Sequence, residues 1–441
     1  MAESDQAAFL MQRQQTHPLS RPWIFSSWLF LASLVVNLGA AFLIRSHTTI
    51  ATVDADESEY WSIATDLRTQ GLSGIPARRT LPFPWLLSVL RTLAGDDYFH
   101  VQLLVSSLLA LSPVLVYWLV RRRSGDGRAA VLAGVAFLLW PPFVRYGASI
   151  YSDSIALLVF LLYLLSFPLG ATAEPASRRA LRFAIAGALL GLCLEVKPLY
   201  LLYTPIAFAL ALLSETSIRR GLSAAALLTV GCVVVLAPWS AYISAREGHF
   251  ILVSANDGET LAGGLNPALL KMDDSGVFVT AGGRSTWVGP GKWVSMDQTG
   301  YLDSRELQLP YSQASALMAV RARQWIKDHP AEVAYLSARK LLYMWGLYPF
   351  WNGVSQSLFG NVPLLLLSAF AGASLWINRH AWRRLALFWS LPILSCAVAL
   401  VSWGSWRFRM PADAGLIILA VLALRSWQKP RFLSADEPDV R

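Results

Sequence analysis

Four carboxylates fall within six residues of "VDADESEYW" (53–61): Asp54, Asp56, Glu57 and Glu59. Two kinds of chemistry account for such a cluster. One is helix capping, since Asp56 and Glu59 have capping-box spacing and Glu57 and Glu59 favour the positive end of a helix opening at Ser58-Glu59-Tyr60. A cap uses one carboxylate, however. The surplus, set where the dielectric is low, suits a proton acceptor with a raised pKa. Asp56 is the candidate base, with Glu57 beside it.

Cations stand at comparable places. Arg78 and Arg79 precede "TLPFPW", Arg145 and Tyr146 end an apolar run, Lys197 precedes Pro198 in a short turn, and Arg407 and Arg409 lie in "WRFRMP". A further acid, Asp153, opens an apolar run in "YSDSIALL". Each has a plainer reading: snorkelling for Arg145 and Arg91, capping for Asp153. Snorkelling explains Arg407 and Arg409 less well, because charges that run against a membrane protein's orientation usually line a site or pathway. Guanidinium groups grip phosphate bidentately.

The elements that must position these groups are apolar. Of 441 residues 55% are hydrophobic and 15% charged, against about 25% charged in soluble domains; mean hydropathy is +0.45. Runs of about 20 apolar residues, enough to cross a bilayer, recur along the chain. They are continuous rather than alternating, which excludes a β-barrel. The expected class is an all-α polytopic membrane protein with about ten transmembrane helices. Their approximate bounds are 23–44, 98–120, 129–146, 150–169, 180–196, 198–214, 221–243, 359–377, 385–402 and 411–426. The first run is longer than a signal-peptide core and reads as an uncleaved anchor. Cys193, Cys232 and Cys396 lie inside apolar runs without CxxC spacing and read as small buried hydrophobes.

The net charge of +9 comes from arginines between the runs and is no sign of nucleic-acid binding. Arg121 to Arg123, Arg178-Arg179, Arg219-Arg220, Arg379 with Arg383-Arg384, and Lys429 with Arg431 share one side, which the positive-inside rule makes cytoplasmic. A leader (1–22) and a tail (427–441) join them there, flanking the module 23–426. The opposite face carries two long segments, about 45–97 and 244–358, and "VDADESEYW" lies in the first. Tyr60, Ile63, Ala64 and Leu67 form a helical stripe stopped by Gly71, and Trp85 to Leu93 lies in the interface. Helices over 312–328 and 331–345 break at His329-Pro330. "NDGETLAGGLNP" and "AGGRSTWVGPGKW" are expected as ordered loop; Trp287 and Trp293 there serve as interface anchors or, alternatively, stack on the ring of a ligand.

These stretches, in order, resemble the polytopic glycosyltransferases of the C superfold, and within them the dolichyl-phosphate-mannose protein mannosyltransferase-like family, related to the lipid A aminoarabinose transferases. "DESEYWSIATDLRTQG", "RRTLPFPWLLSVLRTLAG", "YSDSIALLVFLLYLL", "GLCLEVKPLYLL", "PWSAYISAREGHFILVSANDGETLAGGLNP", "HPAEVAYLSARKLLYMW" and "WRFRMPADAGLIILA" carry the match over residues 23–426. The resemblance implies a polyprenyl-phosphate sugar donor and a hydroxyl acceptor on a lipid, glycan or protein. It also implies an active site outside the bacterial inner (plasma) membrane. The base role falls on Asp56 or Glu57. Arg79, Lys197, Arg407 and Arg409 fall where phosphate-contacting cations belong, with Tyr146 and Asp153 as further substrate contacts. Asp153 stands where the family often has Glu, and no large soluble domain after the spans points to a protein acceptor. No cofactor is required and a divalent metal is optional. The rival readings are a lipid-linked sugar transporter or flippase, against which no inverted repeat is visible, and a non-catalytic glycan-assembly protein.

Overall fold

The computed structural model describes residues 22–46, 53, 55–168, 175–270, 277–281, 284–288, 294–347 and 361–428. Asp54, Trp293, Lys429, Arg431 and nearly all of the leader lie outside them. The helices are α1 (Pro22–Arg45), α2 (Ala55–Gln70), α3 (Pro82–Ala94), α4 (Tyr98–Leu109), α5 (Ser112–Ser124), α6 (Gly127–Leu138), α7 (Pro141–Gly147), α8 (Ser152–Ser166) and α9 (Ala176–Val196). They continue with α10 (Thr204–Leu213), α11 (Ile218–Glu247), α12 (Asp257–Gly264), α13 (Tyr311–Asp328), α14 (Pro330–Met344), α15 (Val362–Ile377), α16 (Trp382–Val401) and α17 (Trp406–Gln428). One antiparallel hairpin, β1 (Val277–Ala281) with β2 (Arg284–Val288), interrupts the helical pattern in the Gly-rich stretch expected as loop.

Among the described residues every apolar run seen in the sequence is a helix or a helix pair. Among the described residues three helical stretches are long and apolar enough to cross a membrane: Pro22–Ile44, Tyr98–Ser124 and Ile218–Glu247. A fourth counts if α6 and α7, bent by 57° across their break, form one span. Pro141 and Pro142 explain that bend, since proline removes a helix donor and clashes with the preceding turn. Four further apolar helical stretches are shorter than a full crossing.

Burial separates the outer helices from the inner ones. α1 and α11 turn Trp28, Val35, Val230 and Val234 outward, an apolar surface that water would not favour. α8 and α17 are buried on nearly every side and lie at the centre, with Phe160, Leu164, Ile418 and Leu422 enclosed. α9 and α11 meet through small residues: a Cβ on Gly187 would lie 2.0 Å from the Leu228 carbonyl oxygen, and one on Gly231 2.2 Å from that of Ala184. Only glycine permits such backbone approach between membrane helices.

α2 and α3 lie outside this bundle as amphipathic helices. α2 buries Tyr60, Ile63 and Ala64 and ends at Gly71, whose φ of +66° a side chain would resist. α3 buries Phe83, Leu87 and Leu90 while Trp85 and Leu93 stay exposed, the pattern of an interfacial helix. Arg91, expected to snorkel, is instead buried. It donates to the Trp61 carbonyl (2.8 Å) and the Thr65 hydroxyl (2.7 Å) and pairs with Asp96 (2.8 Å), so it clamps α3 onto α2.

The ends of the bundle differ in charge. At one end Arg122 and Arg123 donate to the last carbonyls around α8, at Leu165 (2.9 Å) and Phe167 (2.7 Å), where cations oppose the helix dipole. There too Arg425, near the end of α17, pairs with Asp126 at the start of α6 (2.7 Å). The N-terminal ends of α8 and α17 point the other way, towards α2.

Candidate active site

Asp56 sits in the first turn of α2, inside the helix rather than at its cap, because the helix opens at Ala55. The capping-box reading is thereby corrected. Residues three and four positions on share its face, and Glu59 and Tyr60 accordingly meet the same partner, Arg79. The Arg79 guanidinium donates to Glu59 (Nε to Oε1, 3.0 Å), to Asp56 (Nη2 to Oδ1, 3.1 Å) and to the Tyr60 hydroxyl (3.3 Å), and lies over the Tyr60 ring. Arg78 reaches Glu59 as well (2.7 Å).

Two further elements complete the cluster. Arg407, at the start of α17, places Nη1 2.7 Å from Asp56 Oδ2 and Nε 3.9 Å from Asp153 Oδ2. It rests over the rings of Tyr151 and Phe408. Lys197, which caps the C-terminal end of α9, donates to Asp153 (3.0 Å). Asp153 is therefore not a helix cap: it lies in the first turn of α8, buried, and faces two cations. The α16–α17 turn that presents Arg407 is wedged in place. A Cβ on Gly404 would lie 2.2 Å from the Lys340 carbonyl oxygen of α14, and one on Gly264 of α12 lies 1.8 Å from that of Ser402.

Five of the eight residues singled out in the sequence thus converge: Asp56, Arg79, Asp153, Lys197 and Arg407. Tyr146 stands at the margin, its ring 6.0 Å from that of Tyr151. Two residues face elsewhere. Glu57, fully buried, accepts from the Tyr98 hydroxyl (2.9 Å) and the Ile150 N–H (2.7 Å), tying α2 to the segment before α8. Arg409 is enclosed in the bundle, paired with Asp413 (2.8 Å) and donating to the Met344 carbonyl. Asp413 accepts in turn from the Trp140 indole (2.8 Å).

The electrostatics overturn one expectation. Burial works to raise the Asp56 pKa, but Arg407, Arg79 and Lys197 outweigh it and hold the carboxyl well below the usual carboxylate range. The cluster is cation-rich, with Arg78, Arg79, Lys197 and Arg407 around Asp56, Glu59 and Asp153. Those carboxylates already face cations, and among the described residues no group of three His, Cys, Asp or Glu is placed to hold a metal ion. This donor set does not fit a divalent ion, and no step below runs through one.

The sequence did not single out Glu259 or Tyr311. Glu259 on α12 is buried, and burial raises its pKa against the hydrogen bond from Tyr311 and the pull of Arg78 and Arg79. The Tyr311 hydroxyl also lies 2.9 Å from Asn256 Oδ1, and its ring lies under Arg78. This strip joins the 244–358 segment to the 45–97 segment. Beside Asn256, Asp257 and Thr260, nothing in the local sequence set Glu259 apart. Tyr311→Phe removes one hydrogen bond from the buried Glu259 carboxyl and is expected to cost about 1–3 kcal/mol of stability. Thermal unfolding in detergent checks this; an unshifted transition would mean that the strip carries no tie.

A family model described as dolichyl-phosphate-mannose-protein mannosyltransferase matches residues 78–243. Two curated relatives are undecaprenyl phosphate-alpha-4-amino-4-deoxy-L-arabinose arabinosyl transferases. That of Pectobacterium atrosepticum is 26% identical over 205 residues, covering 44% of this chain and 36% of the relative. That of Yersinia pestis is 24% identical over 203 residues, covering 44% and 37%. The resemblance read from the sequence holds. The match spans little more than a third of the length of these relatives. Among solved structures, the archaeal oligosaccharyltransferase AglB from Archaeoglobus fulgidus, in complex with an inhibitory peptide and a dolichol-phosphate, aligns with a TM-score of 0.52 at 16% identity. The alignment covers 94% of this chain and 51% of that one. The chain shares the fold of that oligosaccharyltransferase, and its long apolar helices mark it as an integral membrane protein.

Proposed function

We propose that this protein is a membrane glycosyltransferase that moves a sugar from a polyprenyl-phosphate carrier to a hydroxyl acceptor. The observation that carries this reading is the meeting of Asp56 with Arg79 and Arg407 at 3.1 and 2.7 Å, with Lys197 and Asp153 adjoining. A carboxylate and three cations in one cluster suit two tasks. The acceptor oxygen attacks the anomeric carbon, its proton passes to a carboxylate, and the bond from that carbon to the phosphate oxygen breaks. The lipid phosphate leaves with the electron pair, its charge held by Arg79, Arg407 and Lys197. A single displacement inverts the anomeric centre. Asp56 is the base in this scheme, and Glu57, turned away from the cluster, fixes the α2 that carries it. The acceptor is a lipid, glycan or protein.

Ten spans, with the basic end of the bundle in the cytoplasm and the cluster outside a bacterial inner membrane, complete the proposal. The polarity of α8 and α17 supports it, since both run from the cluster to the arginine-rich end. A single cysteine at exposed Ser304 is expected to react with an impermeant thiol reagent in intact cells, whereas one at exposed Ser177 is expected to react only after lysis. The reverse pattern would invert the orientation.

The decisive assay is transfer by the purified protein from radiolabelled polyprenyl-phosphate sugars to envelope lipids and glycans. Sugar that crosses the membrane while still on its carrier would favour a flippase instead.

A further inference from the structure

Asp56 pairs with two arginines at once, as a phosphate can. Its two oxygens each take one guanidinium group, Arg79 through Oδ1 and Arg407 through Oδ2. A phosphodiester makes the same demand on the same donors, with two unesterified oxygens sharing one negative charge. A phosphate oxygen seated on Arg407 Nη1 would take the position that Asp56 Oδ2 now holds, 2.7 Å from that nitrogen. The arginine also has somewhere to turn: its Nε already lies 3.9 Å from Asp153, and the Tyr151 and Phe408 rings support its plane. Arg79 is likewise secured without Asp56, since Glu59 and the Tyr60 ring hold it.

We infer that Asp56 occupies the donor's phosphate seat in the resting protein, and that the incoming phosphodiester displaces it from Arg407 and Arg79. The inference rests on the glycosyltransferase reading. It adds an order of events to that reading, because the base is released only by the group it must follow. In the resting cluster Asp56 is too well paired to take a proton. Its neighbours are Arg79 from the α2–α3 loop, Arg407 from α17, Lys197 from the end of α9, and Glu59 and Tyr60 on its own helix. Once the phosphate neutralises the cations, burial remains and favours the protonated carboxyl. Donor binding therefore turns a spectator carboxylate into a base, and the acceptor's proton has no taker before the donor arrives.

The test is the affinity of undecaprenyl phosphate, measured by titration of the detergent-solubilised full chain. Asp56→Asn removes the competing charge and is expected to bind the probe about tenfold more tightly than the unsubstituted protein, since an occupied seat lowers apparent affinity by the fraction left open. A structural role for Asp56 predicts weaker binding. A purely catalytic role predicts equal binding. Either result overturns the displacement. Asp56→Ser supplies the same readout should the Asn variant not fold. Failure of the unsubstituted protein and of folded variants alike to bind the probe counts against the donor itself, and so sinks the functional reading together with the inference. Equal affinities sink the inference alone.

Discussion

Asp56→Asn is expected to lower transfer by about 10²–10⁴-fold, the usual contribution of general base catalysis. Asn keeps the size of the side chain and a hydrogen-bonding oxygen for Arg407, so α2 stays where it is. The proton acceptor alone is lost. A carboxylate that merely braces the arginines would leave transfer within a few-fold of normal when replaced in this way. The pH dependence carries the sign of the mechanism. Arg407, Arg79 and Lys197 hold Asp56 ionised well below the usual carboxylate range, so kcat/KM, which reports the free enzyme, should show no acid limb from Asp56 above about pH 4. Donor binding takes those cations away, so the acid limb of kcat should lie higher than that of kcat/KM. Coincident limbs would mean that Asp56 keeps its partners throughout turnover. Glu57→Gln belongs to another class. It weakens the bonds from Tyr98 and Ile150 and should cost stability before it costs chemistry.

What could be read from the sequence, and what could not, follows from helix geometry. The acids and cations were visible because sidedness collects them: short turns and span ends on one face leave few places for a charge. Order along the chain and the positive-inside asymmetry were enough to bring Asp56, Arg79, Asp153, Lys197 and Arg407 towards one site. Facing was harder. Adjacent residues on a helix point about 100° apart, so Asp56 and Glu57 cannot both face the cluster, yet nothing local says which one does. Partners distant in sequence were harder still. The sequence pointed to a raised pKa for an acid in a low dielectric. It could not reveal that Arg407, far along the chain, lies 2.7 Å away and reverses the sign. Span lengths were also obscured, because the α6–α7 bend and the 3₁₀ turn Pro198–Tyr203 divide runs that a hydropathy window sees as continuous.

Arg407 and Arg409 offer the sharpest contrast, and replacing each by alanine should give opposite phenotypes. Two residues apart on a helix, they point to nearly opposite sides. Arg407 enters the cluster, where Asp56 holds it and Tyr151 supports it. Arg409 enters the bundle, with 1% of its side chain exposed and a partner, Asp413, equally enclosed. The i,i+4 spacing of Arg409 and Asp413 on one helix was the available sign of this pairing. Arg407→Ala removes a charged donor from the phosphate, at about 1.5–3 kcal/mol for each such bond. Donor affinity and transfer should fall while the unfolding temperature stays near normal. Arg409→Ala leaves Asp413 as an uncompensated buried charge and strips a donor from the Met344 carbonyl. Breaking a buried pair in this way costs about 3–5 kcal/mol. The variant should unfold early or fail to accumulate in the membrane, and whatever remains folded should bind undecaprenyl phosphate normally. Arg409→Ala with Asp413→Ala, which removes both charges, should recover part of the lost stability. A folded Arg409→Ala protein with normal stability and weakened donor binding would return Arg409 to the phosphate site.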